Sequence, residues 1–214
     1  MPMKQDYDFS LTAGRAALLV VDLQRGFCER DVSDHLGFEG SDYFWGRVDD
    51  LVLPNAHGLI AAARQAGVEV IYTVIAALTQ DGRDRSLDHK RSNFLIPKGS
   101  PGAEVAPAIA PQGDEMVIPK TSSGIFNSTN IDYILRNLGV ERLVVFGVYT
   151  HQCVEGAVRD ASDRGYLVTL VPDACAARTA AQDAATVEGM KAYARIADTG
   201  AVIEELRRIE SAAA

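Results

Sequence analysis

The sequence predicts an α/β fold in which a parallel sheet is covered by layers of helices. Two observations carry this. Its strongest β-like segments are continuous apolar runs rather than alternating ones, as expected of strands buried on both faces. These runs alternate with helix-like stretches along most of the chain, the pattern of right-handed crossover connections.

The first run, Ala16-Ala17-Leu18-Leu19-Val20-Val21, ends at Asp22. A helix is expected over Pro54 to Ala66, with Gly67 as its stop, and a second strand follows over Val68 to Val74. Met116-Val117-Ile118-Pro119 is a short third strand. Asn130 to Leu138 reads as a helix stopped by Gly139, and Arg142 to Val148 as the fourth strand. Cys153 to Arg164 reads as a helix stopped by Gly165, and Tyr166 to Val171 as the fifth strand. Near the C-terminus a helix from about Asp183 to Ala197, a weak strand at Ala201-Val202 and a closing helix over Glu204 to Glu210 are expected. Cys28 to Ser41 and Thr79 to Pro111 are polar, without a sustained period, and read as loops over one end of the sheet.

The chain has 214 residues, 47% of them hydrophobic and 23% charged, which suits one globular domain over residues 1–214 and excludes disorder and coiled coil. A net charge of −8 and the lack of a Lys/Arg cluster argue against nucleic acid as a partner. No apolar run is long enough to span a membrane, and MPMKQDYDFS has no apolar core of the signal-peptide kind. Three cysteines, an odd count, point to free thiols and a reducing, cytoplasmic setting. A small-molecule enzyme or binder remains.

Ligands of open parallel sheets bind outside the carboxyl ends of the strands. Three reactive residues fall just past such ends: Asp22 after the first strand, Lys120 after the third and Cys153 after the fourth. Val154, Ala157, Val158 and Ala161 give the helix that begins at Cys153 one apolar face. Its unpaired N–H groups and dipole, with a nearby ammonium, would favour the thiolate. Position alone also allows bland roles: a turn cap for Asp22, a solvated Lys120, a buried inert thiol at Cys153.

Three motifs carry a resemblance. Val20-Val21-Asp22-Leu23-Gln24-Arg25-Gly26-Phe27, Pro119-Lys120-Thr121-Ser122-Ser123-Gly124-Ile125-Phe126 and Gly147-Val148-Tyr149-Thr150-His151-Gln152-Cys153-Val154 resemble, in order and spacing, the isochorismatase-like cysteine hydrolases. Arg159-Asp160-Ala161 and Asp173-Ala174-Cys175-Ala176 extend the likeness over roughly residues 15 to 203. The resemblance implies a three-layer, Rossmann-like fold with a six-stranded parallel sheet and a catalytic triad of Asp22, Lys120 and Cys153. It also implies a cis peptide at Val148–Tyr149 and an oxyanion hole made by the Tyr149 and Cys153 N–H groups. No metal or organic cofactor is implied. Nicotinamidases of this family carry an Asp-x-His metal motif after the second strand, whereas Thr73 to Gln80 holds no histidine. His151 stands where many relatives have Asp.

Leu78 to Ser100 and the Ser-Gly-Ile-Phe-Asn-Ser-Thr run most resemble the carbamoyl-amide branch, such as biuret and ureidoacrylate hydrolases. The expected activity is cleavage of a C–N bond in a small linear amide or carbamoyl compound through a Cys153 thioester. Vinyl-ether hydrolysis of an isochorismate-like acid and a catalytically silent binder are the alternatives. Phe27, Phe126, Gln152, Lys90 and Arg91 are the candidate substrate-binding residues, the cations for a carboxylate or carbonyl oxygen, although the aromatics also suit a core and the cations a solvated surface. Gln24 would orient Asp22 or a loop; Cys28, Cys175 and His151 read as structural; Phe44 and Trp45 as packing. The resemblance implies a homodimer or homotetramer.

Overall fold

A computed structural model describes residues 7–38 and 40–213; residues 1–6, part of the stretch read above for a leader, lie outside them. Six strands form one sheet: β1 (Ala16–Val21), β2 (Glu69–Ile75), β3 (Met116–Lys120), β4 (Arg142–Val148), β5 (Leu167–Ala176) and β6 (Ala194–Ile196). Their order is β3-β2-β1-β4-β5-β6 and every pairing is parallel. Helices cover both sides of the sheet. All six residues of β1 are buried, which is what its unbroken apolar sequence requires.

The helices are, in chain order, α1 (Arg25–Cys28), α2 (Arg30–His35), α3 (Asp42–Arg47), α4 (Leu53–Gln65), α5 (Leu87–Arg91), α6 (Ile125–Ser128), α7 (Ile131–Asn137), α8 (Glu155–Asp163), α9 (Ala180–Met190) and α10 (Thr199–Ala213). Helix α4 packs against α10 and the sheet, and α8 packs against β5, α6 and α9. Gly67, Gly139 and Gly165 take positive φ just after α4, α7 and α8, the left-handed stop expected of them.

The strand order reverses between β1 and β4, so the crevice at their carboxyl ends is the natural ligand site. Gly147 lets these two strands close. Its φ is +133°, and a Cβ there would lie 2.0 Å from the Val21 carbonyl oxygen.

Four regions differ from expectation. Strand β5 runs on to Ala176, past the expected end at Val171. The expected strand at Ala201-Val202 is helix α10, and the last strand is Ala194–Ile196, inside the stretch expected to be helical. Asp198 Oδ1 accepts the Ala201 N–H at 2.7 Å and starts α10, and Val202 and Leu206 bury one helical face at i, i+4 spacing. Thr150–Val154 winds as a π-helical turn, so the regular helix begins at Glu155 rather than at Cys153. The two loop regions carry short helices, α2 and α5 among them.

Candidate active site

The residue after β1 leaves the strand sharply. Asp22 has φ +54°, a left-handed conformation that Asp tolerates better than most side chains. Its N–H donates to the Thr73 carbonyl at 3.0 Å, and Thr73 Oγ1 donates to Asp22 Oδ1 at 2.9 Å. Neighbouring Gln24 is fully buried and satisfied: its amide nitrogen donates to the Ile75 and Gly102 carbonyls, and its oxygen accepts the Ile75 N–H at 2.6 Å. Gln24 thus ties the loop after β1 to β2 and to the turn at Gly102.

Lys120, the last residue of β3, is fully buried. Its Nζ lies 2.9 Å from Asp22 Oδ2 and 3.3 Å from Cys153 Sγ. It also donates to the Ser122 carbonyl at 2.9 Å and the Ser123 carbonyl at 3.3 Å. One ammonium therefore bridges the carboxylate and the sulfur. Asp22 Oδ2 holds this ion pair but accepts no aligned hydrogen bond among the described residues, which leaves it a lone pair for a proton.

Burial would push the Lys120 ammonium down, but Asp22 and Cys153 outweigh it and hold its pKa above the usual lysine range. Burial pushes the Cys153 thiol up to about 12, with Lys120 pulling the other way. Desolvation of the buried residue thus opposes the thiolate that the helix end and Lys120 favour.

Cys153 faces a cavity of about 510 Å³, while Asp22 and Lys120 lie buried behind it. Phe27, Phe38 and Phe94 form one wall, with ring centroids 4.4–5.9 Å apart and interplanar angles of 7–21°. Tyr149 meets Phe27 edge-on at 5.5 Å. The Val148–Tyr149 peptide is cis, at the position the resemblance implies.

Of the candidate substrate-binding residues, Phe27 and Gln152 line the cavity. Phe126, Lys90 and Arg91 are not among its lining residues. Phe126 is buried against Tyr166 and beneath the Arg164 guanidinium, and Lys90 and Arg91 point to solvent from α5. On α5 it is their neighbour His89 that turns inward, 4% exposed, with Nε2 3.5 Å from Ser123 Oγ. Sequence reading missed His89, Phe38, Phe94 and Arg178 as lining residues. The first three come from stretches without a sustained period in the sequence, His89 on the short helix α5. Arg178 follows β5, but the sequence ends that strand at Val171 whereas the strand runs on to Ala176, so the strand-end rule did not reach it. Among the described residues no group of three or more His, Cys, Asp or Glu is placed to hold a metal ion.

The isochorismatase domain matches residues 16–201, which hold all six strands and their crossovers. The chain belongs to the isochorismatase family. Among relatives in this family, ureidoacrylate amidohydrolase RutB of Variovorax paradoxus is 33% identical over 183 residues, covering 77% of this chain and 70% of the relative. A protein of Arabidopsis thaliana named a probable inactive nicotinamidase is also 33% identical, covering 82% of this chain and 87% of its own. In structure, a cysteine hydrolase from Pseudomonas syringae pv. phaseolicola superposes with a TM-score of 0.83 at 26% identity, over 97% of this chain and 99% of that one. N-carbamoylsarcosine amidase from Thermoplasma acidophilum shares the fold, with a TM-score of 0.69 at 24% identity over 86% and 96% of the two chains. The isochorismatase-family sheet is therefore common to proteins of several names, and function is argued from the site.

Proposed function

We propose that this protein is a cysteine amidohydrolase that cleaves a C–N bond of a small amide or carbamoyl compound. The observation that carries the proposal is the Lys120 ammonium placed between the Asp22 carboxylate and the Cys153 sulfur at the floor of a cavity. The names of the ureidoacrylate amidohydrolase relatives support the same substrate class.

In the proposed reaction Asp22 Oδ2 takes the thiol proton as Sγ attacks the carbonyl carbon. Lys120 stabilises the carboxylate and the sulfur as charge moves between them. The N–H groups of Tyr149 and Cys153 hold the oxyanion, each such donor being worth about 3–4 kcal/mol. Asp22 then passes its proton to the departing nitrogen, the C–N bond breaks, and ammonia or an amine leaves. Water loses a proton to Asp22 and attacks the thioester. The C–S bond breaks and the thiol regains its proton.

The test is ammonia release from a panel of biuret, ureidoacrylate, N-carbamoyl amino acids, maleamate and nicotinamide, with Cys153→Ala as the paired variant. Turnover falling by roughly 10⁴-fold or more in the variant, with folding retained, is the expected result. Turnover that survives the substitution discards the thioester and favours vinyl-ether chemistry. No ammonia from any compound favours a silent binder; the Arabidopsis relative is itself named a probable inactive nicotinamidase.

A further inference from the structure

The Lys120 ammonium has three protons and four acceptors around it. Asp22 Oδ2 and the Ser122 carbonyl are near, each at 2.9 Å, whereas Cys153 Sγ and the Ser123 carbonyl both lie at 3.3 Å. The two near acceptors take a proton each, and the sulfur and the Ser123 carbonyl compete for the third. A carbonyl oxygen is a stronger acceptor than a thiol sulfur. The sulfur therefore keeps that proton only while the Ser123 carbonyl is held at its longer distance.

Helix α5 ties down the turn that carries this carbonyl. The Ser86 N–H, at the start of α5, donates to the Thr121 carbonyl at 2.9 Å, and His89 Nε2 lies 3.5 Å from Ser123 Oγ. His89 is itself fixed: Ser86 Oγ accepts its backbone N–H at 3.2 Å, its carbonyl accepts the Phe94 N–H at 2.8 Å, and the Phe94 ring centroid is 4.9 Å from its own. His89 Nδ1 is buried and finds no hydrogen-bond partner among the described residues. A leucine would fill similar space without leaving a polar atom unmatched, so what the imidazole contributes is the contact at Nε2. Burial and the Lys120 charge lower the His89 pKa, so at neutral pH the ring adds no second cation beside Lys120.

We propose that His89 is a positioning residue: by anchoring Ser123 Oγ it keeps the Ser123 carbonyl from closing on Lys120, and so directs the third ammonium proton to the Cys153 sulfur. It acts through Ser123 and Lys120 rather than on the substrate. The inference rests on the amidohydrolase reading only for the use made of that sulfur, since the reactivity of the sulfur is read without turnover.

The experiment is alkylation of Cys153 by iodoacetamide at pH 8, read by mass spectrometry of the Cys153 peptide, with melting followed by circular dichroism. In this reaction the thiol loses its proton, the S–C bond forms and iodide leaves. His89→Leu is expected to slow alkylation about fivefold with the melting temperature little changed, as loss of one neutral hydrogen bond allows. A fold merely loosened by the substitution would expose the sulfur and speed the reaction instead. Ser123→Ala removes the same anchor from the other side and should slow alkylation alike, and the double variant should be no slower than either single one. His89→Gln, whose amide can still reach Ser123, should restore most of the rate. Unchanged or faster alkylation in His89→Leu, effects that multiply in the double variant, or no recovery with Gln overturns the proposal. If His89→Leu fails to fold, unslowed alkylation in Ser123→Ala overturns it. Ammonia release by the unaltered protein is read separately. Coupled slowing with no ammonia from any compound sinks the amidohydrolase reading alone, whereas ammonia with uncoupled variants sinks this inference alone.

Discussion

Thr73 shows how a single hydroxyl supports the site. It lies on β2, is fully buried, and spends its only proton on Asp22 Oδ1. That bond fixes the carboxylate so that Oδ2, not Oδ1, faces Lys120. Thr73→Val keeps the shape and removes the donor, leaving Asp22 Oδ1 unsatisfied in the interior. The expected cost is about 1–3 kcal/mol of stability, read from denaturant unfolding. Turnover should fall through kcat with KM little changed, because Thr73 is not among the residues lining the cavity and acts through Asp22. A change confined to KM would mean that Asp22 does not depend on this hydrogen bond.

At the scale of elements, β4 sets the alignment of the rim. Its register shifts against β5 between Val145 and Gly147, and Gly147 then passes the end of β1 at a distance no side chain permits. Gly147→Ala would press a methyl into the Val21 carbonyl and hold Ala at φ +133°. Loss of more than about 4 kcal/mol is expected, read as insoluble protein or a collapsed melting transition; a soluble variant with unchanged melting would remove this account of how β1 and β4 meet. Elements of this kind were partly legible in the sequence. The unbroken apolar runs identified β1, β2, β4 and β5, and the shorter run Met116–Pro119 identified β3; the residues past the ends of β1, β3 and β4 pointed to Asp22, Lys120 and Cys153. The C-terminal region was harder. Ala201-Val202 looks strand-like locally, and the Asp198 cap together with the Val202–Leu206 spacing outweighs that propensity. The cavity wall was least legible: Phe38, Phe94 and His89 come from stretches without period in the sequence, and only the folded chain brings them together.

For the whole molecule, buried titratable groups set a window of stability in pH. Cys153 and Cys175 are pushed up to about 12 by burial, and burial also raises Cys28 and Tyr72. An unfolded thiol ionises near pH 9, so between that pH and about 12 the folded chain retains protons that the unfolded chain has lost. A raised folded pKa gives stability that is present below the unfolded value and lost as pH climbs towards the folded one. Each buried thiol therefore removes up to about 1.4 kcal/mol per pH unit in that interval. His89 and His151 act with the opposite sign. Burial lowers both, and the charges of Lys120 and Arg178 respectively lower them further. The unfolded chain binds their protons first, so their contribution is present above about pH 6.5 and lost as pH falls. The melting temperature should accordingly form a plateau between about pH 6.5 and 9 and decline on both sides, as measured by circular dichroism from pH 5 to 10.5. Cys175→Ala isolates the alkaline limb. Its sulfur donates to the Val171 carbonyl and lies outside the cavity lining, so the variant should melt lower at pH 8 but lose stability less steeply above pH 9. An alkaline limb of unchanged slope would show that this thiol is not among the groups whose ionisation unfolds the protein.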